Sequence, residues 1–180
     1  MPRLILLNGP PAAGKSTLAQ MYADEHPLTL NLDIDKIRSL LGGWRTDATE
    51  AGLIARAIAI AAARVHLAGG RDVVIPQLVA RLEFIDQLED LARESCAEFR
   101  EVFLLDDKVS LQSRYTERGR AQAIADRPDL AVSTDRTDAQ LAAGYDALLP
   151  VIAARPAAAI VRTSTGQAAQ AYRDLLASLR

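Results

Sequence analysis

The segment Gly9-Pro-Pro-Ala-Ala-Gly14-Lys15-Ser16 fits the pattern G-x-x-x-x-G-K-[ST], whose chemistry is the binding of phosphate groups. Glycines at both ends let successive backbone N–H groups wrap an anion, so Gly9, Pro10, Pro11, Ala12, Ala13 and Gly14 form a candidate cradle. Lys15 would reach the β- and γ-phosphates of a nucleotide, and the Ser16 hydroxyl would coordinate a Mg²⁺ ion bridging the same oxygens. Thr17 follows in the first helical turn, either as a further contact or as a support for the helix start.

A phosphate loop binds nucleotide, and the reaction has to come from other groups. Asn31-Leu-Asp33-Ile-Asp35-Lys-Ile-Arg38 offers an acid and an arginine. With a helix beginning near Asp35, Asp35 and Arg38 share one face at i, i+3. A carboxylate there can take the proton of an attacking hydroxyl, and the guanidinium can orient the acceptor or steady negative charge. The same spacing also reads as a helix cap with a surface ion pair, and Asp33 is an alternative acid or a ligand to Mg²⁺ through water. Further along, Arg114, Arg118, Arg120 and Arg127 crowd around Gly119. Arginine forks stabilise a phosphoryl group in transfer once a mobile segment closes, and Arg118 is the leading candidate; the other reading is a solvated, charged helix end. Trp44 either lines an acceptor pocket or covers surface. His66 reads as packed or solvated, and Cys96 as a small boundary side chain.

To position these groups the chain has to alternate strands and helices. Leu4–Leu7 reads as a buried strand, followed by the Gly/Pro turn and a helix over Lys15–Glu25. A strand at Leu28–Leu32 leads to the helix near Asp35, and an alanine-rich helix over Thr49–Ala68 stops at Gly69-Gly70. Strand Val73–Ile75, helix Leu82–Ser95 and strand Glu101–Leu105 follow, with Asp106-Asp107 capping a helix over Val109–Glu117. A turn-prone segment from Gly119 to Pro128 forms the core of a lid over about 118–132, before a helix from Thr134, strand Ala158–Val161 and a helix over Gly166–Leu179. Five apolar strands alternating with helices predict an α/β fold with a parallel sheet covered on both faces, where ligands bind at the carboxyl ends of the strands.

The chain has 180 residues, 49% hydrophobic and 24% charged, which suits one domain over 1–180. Twenty-one Lys+Arg against 23 Asp+Glu give a net charge of -2, so no whole-surface field favours nucleic acid or an anionic membrane. One cysteine excludes an internal disulfide framework, and His26 and His66 make no zinc-ligand spacing; a reduced, cytoplasmic setting is expected. The run Leu4–Leu7 is too short for a signal-peptide core and Arg56 and Arg64 interrupt the alanine-rich stretch, so no membrane span is expected. The sequence carries no reading of oligomeric state.

Together, GPPAAGKST, the D-x-x-R of Asp35–Arg38 and Arg114-Tyr-Thr-Glu-Arg118-Gly119 resemble the P-loop kinase group that includes polynucleotide 5′-hydroxyl kinases, chloramphenicol phosphotransferase and zeta-toxin-type kinases. The resemblance implies the P-loop NTPase fold, with a five-stranded parallel sheet and an arginine-bearing lid, and ATP and Mg²⁺ as cofactors. It implies Asp35 as general base, Arg38 on acceptor phosphate and Arg118 on donor phosphates, and it sets Arg162-Thr163-Ser164-Thr165 where the adenine ring packs; Ser164 or Thr165 reads equally as a helix cap. In the polynucleotide members strand three runs into Asp-Thr-Asn, whereas here Val73-Val-Ile75 leads into Pro76-Gln77-Leu78. Gln77 can hydrogen-bond an acceptor but cannot act as a base. With the charge balance, this favours a kinase acting on a small-molecule hydroxyl over one acting on a polynucleotide 5′ end, and over a regulatory switch that hydrolyses ATP slowly.

Overall fold

The computed structural model describes residues 1–124 and 137–180, with residues 118–124 in backbone only. Five strands, β1 (Arg3–Asn8), β2 (Leu30–Asn31), β3 (Val73–Pro76), β4 (Glu98–Leu105) and β5 (Ala159–Arg162), form one parallel sheet in the order β2-β3-β1-β4-β5. The central strand alternates its side chains between two cores, as the period of a strand dictates. Leu4 and Leu6 pack with helices α3 (Ala48–Ala68), α4 (Leu82–Glu94) and α7 (Leu148–Ala154). Ile5 and Leu7 pack with α1 (Lys15–Glu25), α5 (Lys108–Ile124) and α8 (Ala168–Ser178).

Several elements depart from the sequence reading. The second strand spans only Leu30–Asn31, because Leu28 is exposed and takes a left-handed φ of 65° that ends any extended run. The following helix, α2 (Ile34–Ser39), starts at Ile34 with Asp33 as its cap, so Asp35 sits inside the first turn and is not the cap. The fifth helix does not stop before Gly119 but continues to Ile124, because Arg118, Arg120, Ala121, Gln122 and Ala123 are good helix formers that outweigh one glycine. The remainder of the expected lid, Arg127 included, lies outside the described residues. The helix expected from Thr134 is two, α6 (Asp138–Asp146) and α7, and Pro150, which has no N–H to offer Asp146, accounts for the break.

Among the described residues, α3 is the one helix that length and composition alone would allow to cross a membrane. Its face carrying Ala51, Ala55, Ala59, Ala63 and Leu67 is packed into the protein.

Candidate active site

The phosphate loop is anchored from below by a residue the motif does not contain. Asn8, fully buried at the end of β1, accepts hydrogen bonds from the N–H of Gly9 (2.8 Å) and of Val79 (2.9 Å) and donates through Nδ2 to the Val79 carbonyl (2.9 Å). It therefore ties the first peptide of the loop to the segment that follows β3. Gly9 is required by space: a Cβ there would stand 2.5 Å from the backbone oxygen of Leu104. Gly14 is required by conformation, with φ 86° as the residue that caps α1. Ala12 holds φ 63°, strain of a kind that persists where a site over-determines the backbone.

Lys15 folds over the loop, with Nζ donating to the carbonyls of Gly9 (2.9 Å) and Pro10 (2.8 Å). Ser16 and Thr17 are exposed in the first turn of α1. Ala12, Ala13, Gly14 and Thr17 line a cleft of about 220 Å³ whose far wall is Thr163, Ser164, Thr165 and Gly166, from the turn after β5. Pro10 and Pro11 instead face a small hollow against α5 and α6, of about 30 Å³. Thr163 is fixed there because its N–H donates to the Leu105 carbonyl at 2.9 Å. Arg114, from α5, closes the cleft and is ion-paired with Asp106 at the end of β4; its Nε is buried with no hydrogen-bond partner among the described residues. The backbone of Arg118 and Arg120 lies one turn further along α5, and their side chains are outside the described residues.

The second group of residues stands at the carboxyl end of β2. Asp33 accepts from the N–H of Asp35 (3.0 Å) and of Lys36 (3.3 Å), so its carboxylate is occupied in starting α2. Burial first, and then the charge of Asp35, push the Asp33 carboxyl above its usual range, against the two backbone hydrogen bonds. Asp35 pairs with Arg38 at 3.1 Å, the two side chains being 45% and 23% exposed. An i, i+3 pair this open contributes less than about 1 kcal/mol, so an incoming anion can displace it at little cost. Arg38 also lies over the Trp44 ring, 5.0 Å from its centroid, and Arg45 lies over the same ring at 4.4 Å. Sequence reasoning had selected Trp44 and Arg38 separately; Arg45 was missed, its only signal being its place next to Trp44.

Gln77 lies at the strand end between the two groups. Since β3 lies between β2 and β1, its end separates Asp35 from the phosphate loop, and the Gln77 N–H donates to the Leu7 carbonyl at 3.1 Å. The Gln77 Oε1 and Arg38 Nε are buried without a hydrogen-bond partner among the described residues. Buried polar atoms left this way in a native fold are commonly those that a ligand or an ordered water satisfies. Among the described residues no group of three or more His, Cys, Asp or Glu side chains could hold a metal. The donor set at the loop, one hydroxyl beside phosphate oxygens, suits a Mg²⁺ ion that keeps waters and takes most of its ligands from a nucleotide.

Residues 4–146 match the family model described as an AAA domain. The chain belongs to the AAA domain family. No curated protein matches it. Among solved structures, this AAA domain is similar to a proposed kinase of Chloroflexus aurantiacus, at 20% identity and a TM-score of 0.70 over 99% of both chains. It is similar to Chaetomium thermophilum Kti12 in complex with ADP-AlF3 at 17% identity and a TM-score of 0.67, covering 98% of this chain and 99% of that one. A gluconokinase from Sinorhizobium meliloti gives 17% identity and a TM-score of 0.59 over 99% and 91% of the two chains. At these identities the likeness is one of fold: the AAA domain has the α/β fold of P-loop NTPases, as its phosphate loop and parallel sheet require.

Proposed function

We propose that the protein is an ATP-dependent phosphotransferase that moves the γ-phosphoryl group onto a hydroxyl of a small-molecule acceptor, such as an antibiotic or a nucleoside-like metabolite. One observation carries the reading: the phosphate loop and the Asp35–Arg38 pair stand at the same carboxyl-end edge of the sheet, with only the end of β3 between them. Nucleotide binding alone does not require a carboxylate and a displaceable guanidinium at that edge, whereas a hydroxyl acceptor does. The named kinases among the fold relatives and the nucleotide complex of Kti12 support the reading, and the subgroup it fits is that of polynucleotide kinases, chloramphenicol phosphotransferase and zeta toxins.

In this reading the loop N–H groups and Lys15 hold the β- and γ-phosphates, and Ser16 holds Mg²⁺, which when bound neutralises phosphate charge. The adenine ring packs between the start of α1 and Thr163–Gly166, beside Arg114. Asp35 takes the proton of the acceptor hydroxyl as its oxygen bonds to the γ-phosphorus. The bond from that phosphorus to the β,γ-bridging oxygen breaks, and ADP departs. Arg38 leaves its open pair with Asp35 to hold the acceptor, Trp44 supplies a flat face, and Gln77 Oε1 accepts a hydrogen bond from it. Arg118, on α5, is the arginine assigned to the charge of the transferred group. The use of ATP and a free, exposed cysteine, Cys96, suit the cytoplasm.

A second reading, transfer to a polynucleotide 5′-hydroxyl, has one observation in its favour, the Trp44 ring with Arg38 and Arg45 both close to it, an aromatic and cationic group of the kind that binds nucleic acid. The net charge of -2 and Gln77 oppose it. ADP release measured with ATP, Mg²⁺ and a panel of hydroxyl compounds plus a 5′-hydroxyl oligonucleotide separates the possibilities. Stimulation by a small molecule is expected; stimulation by the oligonucleotide alone would move the assignment to the second reading. A rate no acceptor raises above hydrolysis, with tight ATP binding, would make the protein a nucleotide switch.

A further inference from the structure

Helix α3 carries its side chains inside out. The positions it buries in the protein, Ala51, Ala55, Ala59 and Ala63, hold single methyl groups, with Leu67 the one large residue fully buried and Ile60 partly buried beside it. The remaining large apolar side chains face outward: Leu53, Ile54, Ile58 and Val65 are 51%, 41%, 42% and 76% exposed. Ala57 and Ala61 are exposed between them and Ala68 beyond Val65, with Arg64 along one edge, so the stripe runs from 53 to 68, about 22 Å at 1.5 Å per residue. Scattered exposed leucines are ordinary, but a continuous stripe at i, i+3, i+4 spacing is the pattern of a helix that packs against another helix.

The charges at the two ends of the stripe say which occupant fits. Asp47 and Glu50 are exposed at its beginning, and Arg71 is exposed just past its end. A second copy laid parallel would bring like charges together. Laid antiparallel, it brings the acidic end of each helix to Arg71 of the other, and the same register sets Ile54 against Val65 and Ile58 against Ala61. Apolar residues then meet apolar residues along the seam, with Ile58 seated on the small Ala61. A lipid surface would call for a basic rim, whereas here Arg64 is engaged by Glu94, Arg56 lies over the Phe84 ring, and the helix has no lysine.

We propose that the outer face of α3 is the interface of an isologous dimer, in which α3 packs antiparallel on α3 of a second copy. The interface is confined to one helix face, so the dimer is expected to form in a concentration-dependent way. The dimer stands independently of the proposed reaction.

The test is the solution mass of the full chain by sedimentation equilibrium up to about 100 µM, with and without phosphatidylcholine–phosphatidylglycerol vesicles. Wild type is expected to pass from 19.4 kDa to twice that mass. Ile58→Glu should remain monomeric with the wild-type circular dichroism spectrum, since residue 58 is exposed in the monomer. Glu50→Arg and Arg71→Glu should each weaken the dimer about tenfold, and the double variant should restore it. A wild-type monomer throughout would overturn the proposal, as would a monomer recovered on the vesicles or an Ile58→Glu protein that still dimerises. Charge variants that change nothing, or a double variant no tighter than the singles, would overturn the antiparallel arrangement.

Discussion

Two aspartates two residues apart are held differently at the carboxyl end of β2, Asp33 by backbone N–H groups and Asp35 by Arg38, and substitution separates them. Asp33 is held by the N–H groups of Asp35 and Lys36, so Asp33→Ala should cost about 1 kcal/mol of stability, whereas Asp33→Asn keeps the cap and should be nearly neutral in urea unfolding. The raised carboxyl of Asp33 also has a pH signature. A group whose pKa is higher in the folded than in the unfolded state stabilises the fold fully at low pH and loses that contribution as pH rises from its ordinary value of 3.8 through the raised one. Asp33→Asn should therefore gain on wild type as pH rises through that window; a stability difference between the two that does not change with pH would contradict the assignment. Asn8 is the other decisive residue. Asn8→Ala leaves the Gly9 and Val79 N–H groups and the Val79 carbonyl without their partner, and a loss of about 2–3 kcal/mol with weakened ATP binding is expected by thermal shift and calorimetric titration.

At the scale of elements, α1 was legible end to end, because a phosphate loop dictates a helix immediately after it and Glu25 precedes a turn. The strands were legible as apolar runs, but their ends were not. The run from Leu28 looks extended in sequence, and only its backbone conformation shows that pairing starts at Leu30. The extent of α5 was missed because one glycine was read as a stop where its neighbours favour helix. Least legible was which face of α3 turns inward, since alanine at almost every position removes the contrast from the pattern. The outcome is measurable: Ala63→Leu, on the inner face, should cost about 1–3 kcal/mol, and Ile58→Ala, on the outer face, should stay within about 0.5 kcal/mol in unfolding at low protein concentration. A larger cost for Ile58→Ala than for Ala63→Leu would mean that the faces had been assigned the wrong way round.

Over the whole molecule, the parallel sheet brings together residues far apart in the chain. The loop after β1, Asp35 after β2, Gln77 after β3 and Arg114 after β4 meet at one edge because every strand points the same way. Sequence supplied the loop, the acid, the arginine and the glutamine, since each belongs to a motif or follows an apolar run. It did not supply Asn8 or Arg45, which depend on contacts made only after folding; Arg114 lies on the cleft wall, and the Arg118 side chain is outside the described residues. The account stands on the joining of phosphate loop and carboxylate in one reaction, and turnover of Asp35→Asn measures that joining most directly. With an acceptor found by ADP release, kcat should fall about 10²–10⁴-fold while the dissociation constant for ATP stays at the wild-type value. Turnover at the wild-type rate would show that Asp35 takes no proton and would contradict the assignment.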